Sequence, residues 1–131
     1  VREGNELGHP QEFYRKRQIR LDTRGPLHIH PRSRWGFDIR VLTASHDPET
    51  RQTVPRGVTV KADAWICSHS VLYNCIIGEG AIVAAGSVVR SCEIRPYTMV
   101  AGNPAQVIAR CLERKPHTPW TYKGDKWRVL G

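Results

Sequence analysis

The side chains best equipped for chemistry in this chain are six histidines, four cysteines and an excess of arginine. His46 stands directly before residues 47–57, where Asp-Pro, Thr, Pro and Gly give the composition of a protruding loop. An imidazole beside such a loop suits the removal of a hydroxyl proton near neutral pH. Asp47, Glu49 or a backbone carbonyl is available to hold its second nitrogen and set the tautomer. His28, His30 and His69 raise the question of zinc, which needs three convergent imidazoles, and that convergence is not evident in their spacing. Cys67, Cys75, Cys92 and Cys111 lie at irregular intervals with no C-x-x-C pair. They read as reduced, packed thiols rather than a zinc knuckle or a redox motif. Ala84, Ala85 and Gly86 form a small-residue ledge on which an extended ligand can lie against backbone. Arg90, Arg95 and Arg110 are cations that could meet an anionic group.

The elements that position these groups follow from one period. Ile29, Trp35 and Val41, then Val60, Ile66, Leu72, Ile77, Val83 and Val89, place a large apolar residue at about every sixth position. Four residues after most of them comes a small one: Ser33, Ser45, Ala64, Ser70, Ala81 and Ser87. Neither a helix, with period 3.6, nor a half-buried strand, with period 2, accounts for this. A parallel β-helix of hexapeptide repeats does, with the large residue on the axis and the small one at the corner, three sides to a turn. The class expected is all-β.

In chain order the expectation is a polar arm over 1–12 and a β-helix over 13–95 interrupted by the loop 47–57. A helix over 105–114 follows, with Val107, Ile108, Cys111 and Leu112 on one face, and then a tail over 115–131 carrying Trp120, Tyr122 and Trp127. All of this forms a single domain of 131 residues. A core this narrow is marginal alone, so an oligomer is expected, with the aromatic tail packed on the β-helix. The net charge of +8, with 11 of the 20 Lys and Arg between Arg2 and Arg56, fits a polyanionic partner or a solvated basic surface. Nucleic acid is the weaker choice, for no recognition motif is present. No secretory signal opens the chain and no apolar run nears the ~18 residues of a membrane span, so a cytoplasmic location is expected.

The runs V-L-T-A-S-H-D (41–47), A-W-I-C-S-H (64–69), I-G-E-G-A-I-V-A-A-G-S-V-V (77–89) and Y-T-M-V-A-G-N-P-A-Q-V-I (97–108) resemble the hexapeptide-repeat acetyltransferases. The likeness is greatest to the colanic-acid and the maltose or galactoside sugar O-acetyltransferases. The resemblance implies a left-handed coil, acetyl-CoA as cofactor and a homotrimer with its sites between subunits. It implies His46 as catalytic base, Asp47 and Trp65 on the acceptor side, and Ser68, Ala85, Arg90, Pro104 and Arg110 on the coenzyme. The backbone N–H of Ser68 would lie near the thioester oxygen, and Ala85 near the pantetheine amide.

This chain departs from the pattern in several places. Cys67 stands where Gly or Ala is usual, the segment Leu72–Ile77 is one residue short, and Gln106 and Ala109 replace common Lys or Arg positions. The asparagine of an upstream F-x-N-x-N coil has no counterpart, so acceptor recognition is expected to follow the colanic-acid pattern. With no evident acyl-accepting nucleophile, the expected activity is direct transfer of acetyl to a sugar or polysaccharide hydroxyl. The alternatives are a non-catalytic interaction platform and, from the zinc enzymes that share this fold, a γ-carbonic-anhydrase-like hydrase.

Overall fold

The computed structural model describes residues 4–113 and 126–130. A short helix, α1 (Gln11–Lys16), precedes β1 (Arg20–Leu21), β2 (Leu27–Ile29) and β3 (Arg34–Trp35). Next come β4 (Arg40–Leu42), a hairpin of β5 (Ala44–His46) and β6 (Thr53–Pro55), β7 (Val58–Val60) and β8 (Trp65–Ile66). Then β9 (Val71–Ile77), β10 (Ile82–Val83), β11 (Val88–Ile94) and β12 (Thr98–Gly102) lead to β13 (Ala105–Glu113) and β14 (Lys126–Val129).

Parallel pairing stacks β1–β4 and β7–β12 in three columns, because β9 and β11 each bend midway and serve two of them. Leu21, Val41, Leu72 and Val89 are in register in the first column. Ile29, Val60, Ile77 and Ile94 are in register in the second, and Trp35, Ile66, Val83 and Val100 in the third. All but the partly covered Leu21 are buried, and they form one apolar core. Burial of each such aliphatic is worth about 1.5–3 kcal/mol. This curled parallel sheet is what the six-residue period specifies. From Leu72 to Val89 the turn is one residue short of three hexapeptides, and the missing residue falls at the bend of β9. Asn74 there, and Ser91 one turn on, adopt φ of +47° and +51°, and Ile76 faces outward. The small positions close the bends by bonding: Ser33 Oγ donates to the His30 carbonyl at 2.7 Å and Ser87 Oγ to the Ala84 carbonyl at 2.6 Å.

Four expectations are corrected. The segment expected as a helix is not one where it is described; Ala105–Glu113 is the strand β13, antiparallel to β12 after a turn at Asn103–Pro104. The open edge of β12 offers unpaired backbone groups, and satisfying them outweighs a modest helix propensity. Residues 13–16 are helical rather than coiled. Tyr14 is buried edge-on to Trp35 with ring centroids 5.9 Å apart, and His9 stacks on Phe13 at 4.0 Å. The stretch 1–12 is not a free arm where it is described, since Glu6 exchanges backbone bonds with Leu27 and Ile29 at 2.9 and 2.7 Å. The coil also continues past residue 95, through β12. Of the tail, β14 pairs with β13 with Trp127 opposite Cys111; Trp120 and Tyr122 lie outside the described residues.

Candidate functional site

The third column ends at a bend that repeats in every turn. Two positions beyond Trp35, Ile66, Val83 and Val100 stand Phe37, Ser68, Ala85 and Gly102, stacked along one corner. The next residue takes a left-handed conformation in successive turns: Asp38 at φ +57°, His69 at +64° and Gly86 at +73°. This geometry turns alternate N–H groups into the ladder and leaves the others outward. His69 N–H donates to the Phe37 carbonyl and Gly86 N–H to the Ser68 carbonyl, both at 2.9 Å. The N–H groups of Ser68 and Ala85 have no partner among the described residues. Two outward donors one turn apart form a short rail for the amide and carbonyl groups of an extended ligand.

Ser68 is held from below. Its Oγ accepts the Phe37 N–H at 2.9 Å, and Gly36 packs so closely that a Cβ there would lie 2.5 Å from Ser68 Oγ and 2.8 Å from its backbone nitrogen. Trp65, on β8 of the same turn, is 37% exposed, with the Arg34 guanidinium 5.4 Å from its ring centroid. Cys67, between Trp65 and Ser68, is half-buried, and burial pushes its thiol pKa up. Pro104 is exposed in the β12–β13 turn, just past Gly102 on the same corner.

His46 is elsewhere. It ends β5 in the hairpin that leaves the sheet between β4 and β7, opposite Thr53. The ring is exposed and has no hydrogen-bond partner among the described residues. The expected loop 47–57 is thus a hairpin whose tip Asp47 shapes. One carboxylate oxygen accepts the N–H groups of Glu49 and Thr50 at 2.8 and 3.0 Å, which holds the Asp47 pKa below the usual carboxylate range. Neither Asp47 nor Glu49 bonds the imidazole. The hairpin's base is firm: buried Thr43 donates from Oγ1 to the Asp22 carbonyl at 2.7 Å and accepts the Gly25 N–H at 2.9 Å. The Asp22 carboxylate, bonded to Arg24 and to the Thr43 N–H, has its pKa lowered to about 2.

The chain therefore brings together Trp65, Ser68, Ala85 and Pro104 at one corner and leaves His46 and Asp47 at another bend. Arg90 lies in the column of Leu42 and Tyr73, on the hairpin's side. Arg110 is exposed on β13, opposite Thr98 and Arg128 and well away from Pro104. His28 is on β2 and His30 follows it, whereas His69 is at the corner after β8; among the described residues no three metal-ligating side chains converge. Sequence reasoning passed over Gly36 and Phe37, whose importance appears only when turns are stacked in register.

No protein-family model matches the chain. Over 60 residues, 45% of this chain, it is 35% identical to "Putative acetyltransferase SAR2635" of Staphylococcus aureus strain MRSA252, a match covering 30% of that protein. Among solved structures, the hexapeptide-repeat acetyltransferase VCA0836 of Vibrio cholerae, complexed with acetyl coenzyme A, is similar with a TM-score of 0.59. The identity is 27%, covering 68% of this chain and 51% of that one. A maltose O-acetyltransferase of Clostridium difficile 630 is similar with a TM-score of 0.54 and 28% identity, covering 58% of this chain and 43% of that one. The chain thus spans under a third of that curated relative and about half of these enzymes.

Proposed function

We propose that this chain is the coil-forming part of an acetyl-CoA-dependent O-acetyltransferase acting on a sugar or polysaccharide hydroxyl. The observation that carries the reading is the pair of outward N–H groups at Ser68 and Ala85, stacked on a corner of small residues, in a chain similar to an acetyltransferase solved with acetyl coenzyme A. The corner fits a pantetheine arm: Ala85 donates to its amide, and Ser68 N–H donates to the thioester oxygen, where negative charge builds during attack. Trp65 covers the reacting end, and Pro104 lies beside the arm past Ala85. Arg90 and Arg110 are the phosphate partners carried over from the family pattern. His46 takes the proton from the acceptor hydroxyl as its oxygen attacks and returns it to the departing sulfur; Asp47 keeps the hairpin in shape beside it.

Within one chain His46 and Ser68 occupy different bends, so the reading requires a second subunit. We propose a homotrimer of left-handed triangular β-helices in which the hairpin of one subunit faces the Ser68–Ala85 corner of its neighbour. Isothermal titration with CoA, alongside light scattering, tests both parts. Micromolar to submillimolar binding by a trimer is the expected result. No binding by a folded trimer would favour a non-catalytic interaction platform instead.

A further inference from the structure

The corner that carries Ser68 and Ala85 continues past Phe37 to an open groove of about 810 Å³ between α1 and the start of β1 and β4. Its floor is apolar, with Leu7, Tyr14 and Ile19. The side chains of Gln11, Gln18 and Thr23 also line it and have no hydrogen-bond partner among the described residues. Arg20 and Arg40 are Cα partners on β1 and β4, both exposed and both lining the groove, so two cationic side chains leave neighbouring strands on its side. Like charges opposite one another across strands are destabilising, and neither arginine has an ion-pair or hydrogen-bond partner among the described residues. The other charges in the groove are Glu12, paired with Arg15, and Asp38.

We infer that this groove is the acceptor site, resting on the acetyl-transfer reading above, and that it takes a negatively charged sugar whose phosphate or carboxylate sits between Arg20 and Arg40. Three features support it. The arginine pair is a fork for a bidentate oxyanion. The free amides and hydroxyl suit sugar hydroxyls. Phe37, 55% exposed at the bend between Ser68 and the groove, offers a face for a sugar's C–H side. Position supports it too, for a thioester held at Ser68 with its arm running to Ala85 has its reacting end toward Phe37 and the groove.

The test is titration of the full chain with glucose 1-phosphate, glucuronate, glucose and inorganic phosphate, repeated on Arg20→Gln/Arg40→Gln. Expected is binding of glucose 1-phosphate or glucuronate at least tenfold tighter than glucose and than inorganic phosphate, with the stronger of the two anions naming the charged group. The double variant loses that preference, keeps its CoA affinity, and melts no lower than the parent because a like-charge pair is gone. Equal binding of glucose and both anionic sugars, a preference that survives the double substitution, or displacement of the sugar by CoA would overturn the inference. Phosphate alone binding as well as its sugar ester would also overturn it. Anionic-sugar binding without any CoA binding would instead sink the acetyl-transfer reading and leave the groove standing.

Discussion

Gly36→Ala joins the fold to the proposed chemistry. A Cβ at this position would lie 2.5 Å from Ser68 Oγ, 2.8 Å from Ser68 N and 3.2 Å from its Cα. The hydroxyl can rotate away, but the backbone nitrogen cannot, so relief requires the Ser68 bend to shift. Overpacking of this kind costs about 1–3 kcal/mol. The hydrogen bond from Phe37 N–H to Ser68 Oγ, 2.9 Å long, is lost with the shift and adds about 0.5–1.5 kcal/mol. A total of roughly 2–4 kcal/mol lowers the melting temperature by about 6–20 °C for a chain of this size, at fixed protein concentration. On the proposed reading the displaced Ser68 N–H no longer meets the thioester oxygen, so acetyl-CoA affinity should fall about three- to tenfold. The control is Gly57→Ala, whose Cβ meets nothing closer than Pro26 at 3.7 Å and should change stability by no more than about 1 kcal/mol. Differential scanning calorimetry and titration of both variants give the answer. A Gly36→Ala protein as stable as Gly57→Ala, with unaltered coenzyme binding, would refute the argument.

Thr43→Val keeps the shape but leaves the buried Gly25 N–H and Asp22 carbonyl without the hydroxyl. It should cost roughly 2–4 kcal/mol in denaturant unfolding and lower activity by loosening the hairpin base. His9, held against Phe13 with Nε2 3.1 Å from the Ser33 carbonyl, has its pKa lowered chiefly by burial. A depressed pKa contributes stability that is present above the ordinary imidazole range of about 6.5 and is lost as pH falls below it. The melting temperature should therefore drop as pH falls below about 6.5, and His9→Phe should flatten that dependence.

The core was legible because its chemistry is periodic: every residue of the Ile29–Val89 register is buried, and no other period explains them. The ends were not. Ala105–Glu113 has a helix-compatible apolar face, and only the unpaired edge of β12 makes it a strand. In α1 the deciding contact is between the rings of Tyr14 and Trp35, far apart in sequence. Asn74 and Ser91 gave no warning that they would absorb the missing residue of each short turn. At the site, family likeness pointed to Ser68 and Ala85, but that their N–H groups face outward emerges only from stacking one turn on the next. Arg20 and Arg40 face each other across an irregular first turn, two residues longer than three hexapeptides, and that extra length hides their register from a reading of six-residue spacing.

The central claim is that His46 moves the proton in an acetyl transfer completed between subunits. The direct measurement is release of free CoA thiol from acetyl-CoA with a competent sugar acceptor, comparing the native chain with His46→Ala. The account predicts a kcat lower by roughly 10²–10⁴-fold in the variant, with CoA affinity unchanged. Undiminished turnover by His46→Ala would contradict it.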